Sequence, residues 1–153
     1  MVIEIERKFL VKGDGWRDLA GPVSYVQGYL LADEQRTVRI RIAGDLGYLT
    51  IKGESGGMSR NEFEYNIPVG DARKLLKMSI ASIVEKKRSR IEWKGKVWEV
   101  DEFEGKNKGL ILAEIELKSE DEIFTVPPWI GDEVTGDIRY YNAYLSRYPY
   151  TEW

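Results

Sequence analysis

Apolar and polar residues alternate with a period of two through most of the chain. In Arg36–Ala43, Val38, Ile40 and Ile42 fall on one side and Arg39 and Arg41 on the other. In Tyr48–Lys52, Leu49 and Ile51 oppose Thr50 and Lys52; in Arg60–Ile67, Phe63, Tyr65 and Ile67 oppose Glu62, Glu64 and Asn66. Successive side chains of an extended chain point to opposite faces, so these segments predict strands. The same pattern predicts strands over Met1–Val11, Ser24–Leu31, Ile83–Ile91, Trp98–Phe103 and Leu110–Lys118. Turn residues separate them: Lys12–Gly15, the hairpin loop Gly44–Gly47, Trp93–Lys96 and Glu104–Gly109. Trp16–Ala20 reads as a short helical turn, Ala32–Gln35 as a polar connection and Gly53–Ser59 as a flexible, glycine-rich one. Helical spacing occurs twice. Asp71–Met78 has Asp71 as its N-cap, and a last helix, roughly Asp137–Arg147, carries Tyr140, Tyr141, Tyr144 and Leu145 and is capped from Asp132–Thr135. Eight antiparallel strands suffice to close a barrel. The expected fold is therefore mainly β (α+β): one domain over residues 1–153, an eight-stranded antiparallel β-barrel with a few covering helices.

The polar rows change what such a barrel would be for. They are charged rather than mixed Ser, Thr and Gln, and they sort by sign. Arg39, Arg41, Lys52, Lys86 and Arg88 lie on basic strands, whereas Glu62, Glu64, Asp101, Glu114 and Glu116 lie on acidic ones. In the first strand Glu4, Glu6 and Lys8 share one face, about 7 Å apart in succession. An ordinary soluble barrel would turn these rows to water. If they point inward instead, the lumen must pair its charges, stay hydrated or bind something carrying both signs, because unpaired buried charge is prohibitive. A polyanion with a divalent metal meets that condition: arginine and lysine clamp phosphate oxygens while carboxylates hold the ion.

Composition narrows the chemistry. The 153 residues contain neither cysteine nor histidine, which excludes disulfides, thiolate sites, Ser-His triads and His-ligated zinc. A metal site must be built from oxygen, which selects Mg²⁺, Mn²⁺ or Ca²⁺. The net charge is −3 from 23 basic and 26 acidic residues, so no nucleic-acid affinity is expected. No apolar run reaches the roughly 20 residues of a membrane helix. A charged strand at the N-terminus and the absence of cysteine suit a cytoplasmic protein. The strands are mostly shorter than the ~9–11 residues that cross an outer membrane.

These residues, in this order, resemble the triphosphate tunnel metalloenzymes of the CYTH superfamily. The signature Glu-x-Glu-x-Lys corresponds to Glu4-Ile5-Glu6-Arg7-Lys8, followed by Phe9-Leu10-Val11. Gln27-Gly28-Tyr29-Leu30, Val38-Arg39-Ile40-Arg41, Leu49-Thr50-Ile51-Lys52 and Ser59–Tyr65 extend the match. So do Val84–Arg88, Trp98–Asp101, Ala113–Leu117, Glu133–Asp137 and Arg139-Tyr140. The resemblance implies a tunnel with charged walls that binds a linear triphosphate with Mg²⁺ or Mn²⁺. It is nearest to the short inorganic tripolyphosphatases. Adenylyl cyclases of the family carry a His-Phe element before the signature, which is missing here.

On this basis Lys8, Arg39, Arg41, Lys86 and Arg88 are expected to bind phosphate, since arginine's planar fork is permanently charged and can be bidentate. Glu4, Glu6, Glu62, Glu64, Asp101, Glu114 and Glu116 are the candidate metal ligands. Lys52 is the candidate general base, on the argument that neighbouring cations lower its pKa, and the resemblance supplies Tyr29 as its partner. Lys52 as a phosphate clamp and Tyr29 as a wall aromatic stay open. Arg60 reads as an exposed loop arginine, and Trp93, Trp98, Trp129 and Trp153 as exterior packing. The expected function is metal-dependent hydrolysis of the terminal phosphate of tripolyphosphate by a monomer or homodimer. The alternatives are a nucleoside or thiamine triphosphatase, less readily a cyclase, and a non-catalytic polyphosphate-binding module.

Overall fold

The computed structural model describes residues 2–54 and 58–153. Its strands are β1 (Val2–Val11), β2 (Val23–Ala32), β3 (Thr37–Ala43), β4 (Leu46–Lys52), β5 (Ser59–Ile67), β6 (Val84–Trp93), β7 (Lys96–Phe103), β8 (Ile111–Glu116) and β9 (Ile130–Glu133). Helix α1 spans Val69–Leu76 and α2 Asn142–Arg147. The strands pair antiparallel in the order β5-β4-β3-β2-β6-β7-β8-β1, and β1 pairs again with β5, which closes an eight-stranded barrel. β1 divides its length to do so: Val2–Ile5 pair with β5, Glu6–Leu10 with β8. β9, which the alternation did not predict, pairs with Phe9 and Val11 on the edge of β1 that β5 leaves free. No helix among the described residues is long and apolar enough to cross a membrane.

Alternation decides the two surfaces. The outward rows of β1, β6, β7 and β8 supply Phe9, Ile91, Trp98, Val100, Ala113 and Ile115, and these form a core with Trp16, Trp129 and Ile130 laid over them. Trp98 stacks edge-on against Phe9, Phe124 and Trp129. The main core thus lies between the barrel wall and the segments wrapped around it. The inward rows are charged along most of their length, then turn apolar at one end, where Val84, Phe103 and Leu112 pack with Leu145 of α2. The last helix therefore seats in that end of the barrel. Gly28 marks a second tight contact. A Cβ there would clash with Ser79 Oγ and lie 2.9 Å from Ile83 Cδ1, so only glycine lets the connection from α1 to β6 seat against β2.

Several boundaries differ from the expected ones. β4 begins at Leu46, leaving Gly44-Asp45 as the turn. Pro68 is the N-cap of α1, and Asp71 lies in its first turn instead, still favourable beside the helix's positive end. The single C-terminal helix is broken into a 3₁₀ turn (Ile138–Tyr140) and α2. Lys8 Nζ reaches up from the barrel and donates to the Tyr140 carbonyl at 2.9 Å, taking the acceptor that a continuous helix would use. The cap is not supplied from Asp132–Thr135: Asp137 caps the 3₁₀ turn, accepting from the Arg139 N–H, and Asp132 and Glu133 belong to β9. Within the glycine-rich connection Gly53–Ser59, Ser55, Gly56 and Gly57 lie outside the described residues.

Candidate active site

The lumen is a cavity of about 1020 Å³. Strand parity aims the charged rows into it. Glu4, Glu6 and Lys8 come from β1, Arg39 and Arg41 from β3, Lys52 from β4, Glu62 and Glu64 from β5, Lys86 and Arg88 from β6, and Glu114 and Glu116 from β8. Tyr29 of β2 also lines it. Asp101 shares the inward row of β7 but is covered by Arg88 and Lys86, 2 % exposed.

On the basic side Asp101 is the anchor. Its carboxylate accepts two bonds from Arg88, at 2.7 and 2.8 Å, and Lys86 Nζ lies 2.7 Å from it. Burial alone would raise its pKa, but Arg88 and Lys86 outweigh that and hold it down at about 2. Lys86 is 1 % exposed, and its pKa is lowered to about 7: burial dominates, Asp101 opposes it, and Arg88 and Arg41 reinforce it. Arg41 is lowered to about 9 by burial and by the charges of Arg39 and Arg88. Among the described residues no carboxylate lies within 4.0 Å of Arg41; its Nε donates to Gln27 Oε1 at 2.9 Å. Arg39 donates to Thr50 Oγ1 at 3.1 Å and lies 3.8 Å from Glu64, and its buried Nε has no partner. This half of the lumen carries surplus buried positive charge and an unused donor.

The acidic side is its complement. Glu6 faces Glu116 across the β1–β8 ladder. Burial first, then the Glu114 and Glu4 charges, raise its pKa to about 7. Glu62 is raised to about 7 by burial and by Glu4, and Glu116 is raised by burial, Glu4 and Glu99. Glu4 is held below its ordinary value: Lys52 and Arg60 overcome its burial. Glu114, on the seam, is held well below, because Lys8, Arg88 and Lys86 outweigh burial. Lys8 stands 3.5 Å from Glu114 and 5.2 Å from the Tyr141 ring centre. Crowded carboxylates with raised pKa values are a donor set suited to a hard divalent cation, which relieves their repulsion. Among the described residues no three of them converge into a ready-made cage, so a cation held here would need ligands besides these side chains.

Some expected surroundings change. Lys52 lies against carboxylates. Its Nζ donates to Glu4 at 2.8 and 3.1 Å and lies 3.5 Å from Glu62. Arg60 is no exposed loop residue: it belongs to β5, lines the cavity, and reaches Glu4 at 3.6 Å. Tyr29 is 5 % exposed, and its hydroxyl accepts from Gln27 Nε2 at 3.4 Å. Trp98 and Trp129 are buried in the outer core, whereas Trp153 stacks with Tyr140 and Tyr150.

Sequence reasoning missed four lining or supporting residues. Glu99 and Arg90 line the cavity and pair with each other at 2.8 Å, and Glu99 also lies 3.4 Å from Arg88. Their parity with Asp101 and Arg88 was the available signal. Gln27 shares the row of Tyr29. Asn142 had no signal, because its position depends on where α2 docks.

Residues 2–143 match the CYTH domain. An inorganic triphosphatase of Acetivibrio thermocellus is 51% identical over 148 residues, 96% of this chain and 95% of that protein. One of Nitrosomonas europaea is 40% identical over 147 residues, covering 94% and 96%. A solved crystal structure of an inorganic triphosphatase superposes with a TM-score of 0.67 at 38% identity, covering 95% of each chain. By fold, by lumen and by a match over nearly its whole length, this chain belongs to the CYTH domain family.

Proposed function

We propose that the protein is an inorganic triphosphatase, a metal-dependent hydrolase that removes the terminal phosphate of tripolyphosphate held in the barrel lumen. The observation that carries this reading is the surplus of cations in the lumen: Arg39, Lys86 and Arg88 are buried, and half-buried Arg41 beside them has no carboxylate partner among the described residues and faces an acidic wall. Desolvating a cation without a counter-ion is costly, on the order of several kcal/mol when burial is complete, unless a ligand supplies the charge. A linear triphosphate does so for several cations at once.

Lys8, Arg39, Arg41, Lys86 and Arg88 bind the phosphate oxygens. Asp101, saturated by Arg88 and Lys86, orients those two cations rather than holding a metal. Glu4, Glu6, Glu62, Glu64, Glu114 and Glu116 would hold one or two divalent ions together with substrate oxygens. Mg²⁺ or Mn²⁺ bound there would neutralise charge on the phosphoryl group and polarise it. The side chains supply position and electrostatics: the arginines stabilise charge on the departing diphosphate, in a lumen already organised around it. Lys52, with Tyr29, is the candidate for proton removal from the attacking water, and a phosphate clamp is its alternative role; its Nζ lies against Glu4 and Glu62, at the carboxylate side of the lumen.

A nucleoside triphosphate is the second reading. Tyr144 and Tyr148 line the cavity with ring centres 4.7 Å apart, an aromatic surface on which a base could stack. Phosphate release from tripolyphosphate, ATP, thiamine triphosphate and pyrophosphate with Mg²⁺ or Mn²⁺ tests the proposal. Preference for tripolyphosphate is expected. Preference for ATP would favour the second reading, and tight binding without turnover would make the protein a binding module.

A further inference from the structure

Gln27 and Asn142 have no assigned role in the scheme above, although Gln27 Nε2 also reaches the Tyr29 hydroxyl at 3.4 Å, and they stand between its cations. Arg41 Nε donates to Gln27 Oε1 at 2.9 Å, Gln27 Nε2 donates to Asn142 Oδ1 at 3.1 Å, and Lys86 Nζ donates to the same Oδ1 at 3.0 Å. Chemistry fixes the direction of each bond. Guanidinium and ammonium groups only donate, so the two amide oxygens must be the acceptors facing Arg41 and Lys86. The Gln27 amino group is then the donor that joins the amides. Gln27 is fully buried and opposite Arg41 in the β2–β3 register. The strand that carries it is held from behind by the close contact at Gly28. Asn142, the first residue of α2, comes from the far end of the chain.

A half-buried arginine lining the lumen, with no carboxylate within 4.0 Å among the described residues, needs something to hold it. Gln27 holds Arg41 through Nε, which leaves the terminal amino groups without a hydrogen bond among the described residues. Lys86 is drawn toward Asp101 on one side and held by Asn142 on the other. A neutral amide suits Arg41, which has no carboxylate beside it among the described residues, and gives Lys86 a second, uncharged acceptor beside Asp101. It accepts from the cation without cancelling its charge, whereas a carboxylate would compete with phosphate.

We propose that the Gln27–Asn142 amide pair is a positioning device that aims Arg41 and Lys86 at the substrate's phosphate oxygens and makes the seating of α2 a condition of substrate binding. This rests on the triphosphatase reading above.

The full-length protein is tested in two ways: kinetics on tripolyphosphate with Mg²⁺, and calorimetric titration with tripolyphosphate in EDTA. Gln27→Met, of similar volume, should raise KM and Kd about tenfold while kcat stays within about threefold. In an Arg41→Ala background the same change should raise KM clearly less than in the wild type, because only the path through Asn142 to Lys86 remains. Asn142→Ala should also raise KM, and less than additively with Gln27→Met. Should Gln27→Met fail to fold, Gln27→Glu keeps the bond to Arg41 but adds a counter-charge, and it should weaken binding by a similar factor. Unchanged KM and Kd, or an equal effect with and without Arg41, overturns the inference. A wild-type protein that binds tripolyphosphate normally separates that failure from failure of the function itself, in which neither binding nor turnover would be seen.

Discussion

Replacing Asp101 by asparagine preserves shape and removes one charge, and the consequence can be worked from its contacts. In the wild type the carboxylate accepts two bonds from Arg88, at 2.7 and 2.8 Å, and lies 2.7 Å from the Lys86 ammonium, with 2 % exposure. After substitution Arg88 keeps Glu99 at 3.4 Å and Lys86 keeps Asn142 at 3.0 Å. Removing one partner of a buried ion pair costs about 3–5 kcal/mol. Linkage gives a second figure. Asp101 is held at about 2 against an ordinary 3.8, which corresponds to about 2 kcal/mol of native-state stabilisation of the ionised form. Lys86, with a pKa lowered to about 7, can shed its proton and relieve part of the mutational cost, so a loss of about 3 kcal/mol is expected. For a chain of this size that lowers the Tm by roughly 6–12 °C. Urea unfolding at pH 7.5 without metal measures the loss directly, and the two-state slope should be unchanged. The pH dependence has a definite sign. A depressed carboxyl stabilises above its unfolded pKa, so the Asp101 contribution is complete above about 3.8 and disappears as pH falls through about 2. The asparagine variant should lack that acid limb. A variant with wild-type stability but metal binding weakened more than about tenfold would refute the reasoning and make Asp101 a ligand.

Glu4→Gln/Glu6→Gln, or chelation with EDTA, should abolish turnover, and an isotope-free phosphate-release assay is sufficient to see it. Without metal, Glu6 and Glu62, both raised to about 7, favour the protonated folded state. That stability is present below about 4.5 and lost as pH rises through about 7, and Mg²⁺ at pH 8 should restore it as a higher Tm. Lys52→Arg keeps the charge beside Glu4 but cannot lose a proton; near-normal kcat with an unchanged basic limb of the pH–rate profile would remove Lys52 as base. Gly28→Ala drives a methyl into Ser79 and Ile83 and should cost about 1–3 kcal/mol in chemical unfolding. A neutral result would mean that the connection from α1 to β6 yields.

The strands and the charged rows were legible from the chain alone because a period of two is a local property. Once Val38, Ile40 and Ile42 share a face, Arg39 and Arg41 must share the other. Absence of histidine and cysteine restricted any metal site to oxygen in the same direct way. The C-terminal end was not legible. The bulky residues Tyr140, Tyr141, Tyr144 and Leu145 fit one helix, but Lys8 takes the Tyr140 carbonyl and splits it. β9 escaped because four residues that pair with one edge of β1 show little alternation of their own. Local pattern also cannot tell which charges meet. Lys52 was expected among cations and lies on Glu4 and Glu62, since closure of the barrel brings β1 and β5 together and carries Glu4 to Lys52. Asp101 and Glu99 belong to one row, yet Asp101 ends behind Arg88 and Lys86 whereas Glu99 faces the cavity. Sequence determined that the chain would form strands with one apolar and one charged face. Only tertiary structure decided that the charged face turns inward, because the apolar face is covered by Trp16, Trp129, β9 and Phe124, segments distant in sequence that the barrel gathers onto its outer wall.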